Sequence, residues 1–214
     1  MVPAGLVHIM PINYPNEAEL LRAEIAAAAA RMIAEDGADY GSAKRKAARQ
    51  LLGDVRVRGD VLPDNAQIED EVRAYNDLFF GDTQPARLAH LRAIALRVME
   101  DLEGFNPHLT GAVLNGTASE HSDIHLQVFA DSTKDVELHL INRGVNIEVS
   151  ETNHFKRQGA PVPVLSFLRE NEIVHVALYH FDDLRGAKKS RDGKRADRAD
   201  TSAVRALVNA DPKP

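Results

Sequence analysis

The sequence changes its pattern in the middle of the chain, at the break from Gly104 to Pro107. Before the break, apolar residues recur three and four positions apart, between residues that typically begin and end helices. After it, they gather in short, β-branched runs bounded by turn residues. The 214 residues suffice to bury a core. The pattern predicts an α+β protein whose helical N-terminal half packs on a mixed β-sheet.

Four helices are predicted before the break, each from its own start and stop signals. Asn16 and Glu19 form a capping-box pattern for a helix that ends near Asp36. Three more helices are expected after Ser42, after Asp64, and after Thr83 with Pro85 in the first turn. Glycines at 37, 53 and 81 stand where the first three should end.

Five strands and two helices are predicted after the break. The strands cover residues 109–114, 124–129, 145–149, 162–168 and 173–179, with a helix at 132–142. The basic stretch 185–198 is expected to be mobile, and a short helix should follow at 201–209. These signals divide the chain into a helical region (1–82), a sheet domain (83–183) and a basic C-terminal segment (184–214).

Composition limits the classes of function. Without cysteine, a metal must be held by carboxylates, imidazoles or carbonyls, which favours a hard cation such as Mg²⁺. A formal net charge of −6 argues against a protein that coats nucleic acid along a whole face. No signal sequence or run of membrane-spanning length is recognised, so we expect a soluble, cytoplasmic protein with no membrane partner.

The segment from Leu109 to Ala130 holds the residues that point to chemistry. It reads LTGAVLNGTASEHSDIHLQVFA, a predicted strand, a Gly116-Thr117 turn, a polar loop and a second strand. Glycine lets backbone amides approach a phosphate closely, and the threonine hydroxyl can add a donor. Residues 123 and 125 alternate on a strand and therefore face the same side, as two metal ligands must.

This layout resembles the nucleotidyltransferase superfamily that includes DNA polymerase beta. In that family a glycine turn precedes a strand with two acids, and a third acid lies on a neighbouring strand. The resemblance assigns nucleotide binding to Gly116, Thr117 and Ser122. It assigns catalysis and the binding of Mg²⁺ or Mn²⁺ to Asp123, His125 and Glu148, with Glu151 in reserve for Glu148.

The resemblance also implies a reaction. A nucleoside monophosphate would pass from a nucleoside triphosphate to an acceptor, which the sequence leaves open as a protein, an RNA or a small molecule. Asp123 would hold both metals and Glu148 would help to activate the acceptor hydroxyl. Basic residues between 185 and 198 would neutralise the leaving group.

His125 departs from the family pattern, because imidazole prefers softer divalent ions than Mg²⁺ and adds no negative charge. Two other functions therefore stay open. One is a protein that keeps the fold and binds a nucleotide or RNA without catalysis. The other is a regulatory protein that acts through its N-terminal helices.

Overall fold

The computed structural model describes residues 16–38, 40–53, 61–155, 159–186 and 198–211. Four helices come first: α1 (Glu17–Asp36), α2 (Tyr40–Leu52), α3 (Asn65–Phe79) and α4 (Gln84–Asp101). The second half contains β1 (His108–Thr110), α5 (Gly111–Asn115), β2 (Ile124–Ala130), α6 (Thr133–Asn142), β3 (Glu148–Thr152), β4 (Val162–Arg169), β5 (Glu172–His180), β6 (Ala199–Asp200) and α7 (Thr201–Ala210). The predicted α+β class is confirmed.

Local capping explains several helix ends. At α1, Asn16 and Glu19 exchange side-chain to backbone hydrogen bonds in a complete capping box, and Gly37 is the C-cap. Asp64 caps α3 in the same way, with Gln67 as its partner. Ser132 caps α6 and Asp200 caps α7, each by accepting from a backbone N–H. These predicted boundaries are therefore confirmed to within a residue or two.

The six strands form one mixed sheet in the order β3-β4-β5-β2-β1-β6. Neighbouring strands are antiparallel except β2 and β5, which are parallel. One face carries the main core, in which Leu126, Leu165 and Val176 pack with residues of α4, α6 and α7. The other face, here called the open face, carries His125 and His175.

A second hydrophobic cluster lies within α1, α2 and α3, around the fully buried Ile25, Ile68 and Val72. The buried face of α3 stops short of its C-terminus, since Phe79 is 59% exposed. The boundary predicted between residues 82 and 83 stays a prediction. Most of the predicted mobile stretch, residues 187–197, lies outside the described residues.

Two predicted strands were placed wrongly. The run from Leu109 to Leu114 is a strand only to Thr110, and Gly111 then turns the chain into α5. The run predicted at 145–149 forms its strand three residues later, at Glu148–Thr152. Val145 and Ile147 pack on the core instead. Because β3 pairs only with β4 among the described strands, the position of β4 sets where β3 starts.

Candidate functional site

A row of polar side chains crosses the open face of the sheet. Register pairs Thr110 of β1 with His125 of β2, His125 with His175 of β5, His175 with Ser166 of β4, and Ser166 with Glu148 of β3. Side chains that are paired across a sheet point to the same face. The row therefore contains one residue from each of five strands, and each is of a type that can bind a polar ligand.

His175 is the hydrogen-bonded centre of this row. Its Nε2 lies 3.1 Å from Oδ2 of Asp123, and its Nδ1 lies 2.8 Å from the Ser166 hydroxyl. Because a carboxylate only accepts, a neutral His175 carries its proton on Nε2 and accepts from Ser166 on Nδ1. The hydrogen bond to Asp123 thus orients the His175 ring, and the ring in turn orients the Ser166 hydroxyl.

His125 stacks on His175, with ring centroids 4.9 Å apart and planes 22° from parallel. The pKa of His125 is lowered, first because surrounding protein disfavours the charged ring and second because His175 lies beside it. Asp123 opposes the shift only in part. Although the ring is open to the cleft, the cleft walls therefore keep it neutral near pH 7.

A cleft of about 390 Å³ lies over this part of the sheet. Gly111 stands at its edge with φ 70°, and a side chain there would begin 3.9 Å from the His125 ring. The cleft is lined by Thr110, Gly111, His125, Leu126, Gln127, Ser150, Glu151, Thr152, Val164, His175 and Ala177. Most of its lining surface is apolar, and hydroxyl, amide and imidazole groups provide a few polar contacts, so it suits a ligand with both apolar and hydrogen-bonding parts.

Glu148 is not near Asp123, contrary to the sequence-based hypothesis. Its strand β3 is separated from β2 by β4 and β5. Three strand spacings place its backbone roughly 14 Å from that of β2, too far for the two carboxylates to share an ion. The neighbour of His125 on the adjacent strand is His175, which sequence reasoning missed. Glu151, the reserve for Glu148, belongs to the same strand β3 and is therefore also separated from β2 by two strands, although it lines the cleft.

The Gly116-Thr117 turn, predicted to bind a nucleotide, packs against the N-terminal helices. Gly116, with φ 80°, ends α5, and Thr117 is 1% exposed. Tyr40 contacts the Thr117 hydroxyl at 3.3 Å, and the Gln84 amide donates to the carbonyls of Gly116 and Ala118 at 3.2 and 3.0 Å. This turn anchors the sheet to the N-terminal helices. The glycine that faces the cleft is Gly111.

Ser122 has a local structural role. Its hydroxyl accepts from the backbone N–H of Ser119 at 2.9 Å and so closes the turn that leads into β2. The sequence favoured Gly116 over Gly111, because Thr117 with its hydroxyl directly follows Gly116. Only the buried surroundings of Thr117 separate them.

The predicted metal ligands Asp123, His125 and Glu148 do not converge. Among the residues that the structure describes, no three His, Asp or Glu side chains are placed to hold one metal ion. Asp123 is hydrogen-bonded to His175. This donor set does not fit two Mg²⁺ ions, which need several oxygen ligands and negative charge.

Within the described part of the chain, no helix has the length and apolar character needed to cross a membrane. No protein-family model matches the sequence, and no curated protein matches it. A chain from a solved structure described as "structure of GLD-2/RNP-8 complex" is 16% identical, with a TM-score of 0.32. The match covers 54% of this chain and 48% of that chain. A likeness at this level carries no argument about function.

Proposed function

We propose that this chain is a nucleotidyltransferase-like protein that binds a nucleotide in the cleft of the open face without the two-magnesium transfer reaction. One observation carries the proposal. The resemblance requires acids at residues 123 and 125 and on a neighbouring strand, whereas residue 125 is a histidine and its partners on the two adjacent strands are Thr110 and His175.

The chemistry of these side chains supports binding over transfer. Two divalent ions on a triphosphate need carboxylates to offset their charge, and of residues 123 and 125 only Asp123 provides one. The lowered pKa of His125 makes it a neutral group at pH 7. It can then donate or accept a hydrogen bond to a nucleotide, but it cannot replace a negative charge.

The cleft provides suitable contacts for part of a nucleotide. Thr110 and Gln127 present a hydroxyl and an amide beside His125, and Gly111 leaves the rim free of a side chain. These groups match the hydroxyls and ring nitrogens of a nucleoside, with which they can exchange hydrogen bonds. Glu148 lies at the β3 end of the row and disfavours a bare phosphate there, so we place the phosphates on the side away from that strand.

Calorimetric titration of nucleoside triphosphates tests the proposal, with EDTA, Mg²⁺ or Mn²⁺ present. Wild-type protein should bind nucleotide in EDTA with nearly the affinity seen with either metal. His125→Asp restores the expected carboxylate and should strengthen Mg²⁺ binding, whereas Asp123→Ala should not. Triphosphate labelled on the α-phosphate should leave no label on protein, RNA or small molecules. Nucleotide binding that requires metal, or transfer of label by the wild type, would overturn the proposal.

A second candidate is the transfer reaction itself, with Mg²⁺ or Mn²⁺ and an acceptor that is a protein, an RNA or a small molecule. The position of Asp123 favours it, because its side chain is 37% exposed and immediately precedes β2, within two residues of His125. This candidate predicts a preference for Mn²⁺, since imidazole suits softer ions. It also predicts that His125→Asp raises the transfer rate and that Asp123→Ala abolishes it.

A further inference from the structure

A separate cavity of about 570 Å³ lies on the other side of the loop that leads into β2. Helix α1, the end of α3 and the start of α4 form its walls, and residues 119–121 close it. Its volume is in the range of small-molecule sites. Its lining includes Ala34, Asn76, Phe80 and Arg87, together with the exposed Glu35 and Glu120 at the rim.

Two buried polar atoms at this cavity lack a partner among the described residues. Asn76 is 2% exposed, and its Nδ2 donates to the Thr117 carbonyl at 3.5 Å, which fixes the amide orientation. Its Oδ1 is then left as a buried acceptor with nothing to accept. Unsatisfied polar atoms of this kind are rare and costly in folded proteins, so Oδ1 needs a donor from outside the described residues.

Arg87 provides the complementary group. Its two terminal nitrogens donate to the Glu172 carboxylate, and one of them also donates to the Glu120 carbonyl at 3.1 Å. Its Nε is buried and has no acceptor in the described part of the chain. Two residues in the lining of the cavity thus hold one acceptor and one donor that the described residues do not satisfy.

Charge and shape narrow the class of ligand. The charge of Arg87 is already balanced by Glu172, which binds it through both oxygens, and Glu35 and Glu120 stand at the rim. An anion such as a phosphate is therefore disfavoured. Phe80 is 36% exposed and offers an aromatic surface for stacking. We infer that this cavity binds an uncharged, flat heterocycle with an N–H donor and an acceptor on its edge, as in a nucleobase or nucleoside.

The site is distinct from the cleft on the open face, and the inference does not depend on the proposed function. No residue lines both the cavity and the cleft. A nucleoside in the cavity would contact α1, α3 and α4 together with the loop before Asp123. Binding there would thus tie the helices to the segment that positions Asp123.

The test uses the full chain and four probes, namely adenosine, guanosine, cytidine and uridine, titrated by calorimetry. At least one should bind. Asn76→Leu, which removes the acceptor at similar volume, should weaken that binding by roughly tenfold or more. Ala34→Leu keeps every polar group and fills the cavity, and it should abolish the binding. Ala27→Leu, on the exposed side of the same helix, is the matched control and should bind as the wild type does.

His125→Leu separates this site from the cleft. It should leave unchanged the nucleoside binding that Ala34→Leu removes, whereas Ala34→Leu should leave any triphosphate binding in the cleft unchanged. Thermal unfolding of each variant shows that it has folded. Failure of all four nucleosides to bind, or equal affinity in the wild type and a folded Ala34→Leu variant, would overturn the inference and leave a hydrated cavity only.

Discussion

The two ends of helix α5 carry similar turns in opposite surroundings. Gly111 at its start has φ 70° and borders the open cleft beside His125. Gly116 at its end has φ 80°, and the turn that it begins is held by side chains of α2, α3 and α4. The same residue type thus serves ligand access at one end and anchoring at the other. The glycine provides the backbone shape, and the packing around it decides its role.

The largest expected effect on stability comes from the C-terminal end of α5, which Arg92 holds in place. Arg92 is 8% exposed, pairs with Asp211 at 2.8 Å and donates to the carbonyls of Val113 and Leu114 in α5. Arg92→Met leaves Asp211 and these carbonyls without their donor, which should lower the free energy of unfolding by about 3 kcal/mol. Urea denaturation measures this change.

Arg97→Met is the control for that experiment. Arg97 lies on the same helix and pairs with Glu170, but both side chains are nearly half exposed. Removing the Arg97–Glu170 ion pair should lower the free energy of unfolding by less than about 1 kcal/mol. Equal losses for the two variants would show that the end of α5 is not specially anchored.

The second prediction compares the two glycines directly. Gly116→Ala and Gly111→Ala should each lower the free energy of unfolding by about 1–2 kcal/mol, because both residues adopt a left-handed backbone. Neighbouring atoms lie 3.8 Å or more from either new methyl group, so the cost comes from the backbone. Only Gly111→Ala should weaken nucleotide binding in the cleft, as measured by calorimetry. A similar loss of affinity in Gly116→Ala would contradict the comparison.

The smallest expected effect is the pH dependence contributed by His125. Its pKa in the folded protein lies below the value of about 6.5 that it has in the unfolded chain. The unfolded chain therefore takes up this proton first as the pH falls, and stability is lost on acidification below about pH 6.5. When the pH is lowered from about 7 to about 5.5, the melting temperature of His125→Gln should fall less than that of the wild type. Above pH 7, the two proteins should show the same slope of melting temperature against pH.

Local signals in the sequence determined much of the helical part. The capping boxes at Asn16 and Asp64 and the cap at Ser132 involve residues three positions apart, so their chemistry does not depend on the rest of the fold. Alternation likewise placed β2, β4 and β5 within one or two residues. It also placed His125 on the face opposite to Ile124 and Leu126, which are buried.

Tertiary structure decided which residues meet at the candidate site. The parallel pairing of β2 with β5 joins segments about fifty residues apart and brings His175, not Glu148, beside His125. Strand order depends on how whole strands pack on α4, α6 and α7, and no local pattern encodes it. The burial of Thr117 likewise depends on Tyr40, Asn76 and Gln84, which lie far from it in the sequence. The sequence by itself determined most of the helices, three of the strands and the face of His125, whereas long-range packing selected its partners and the glycine beside it.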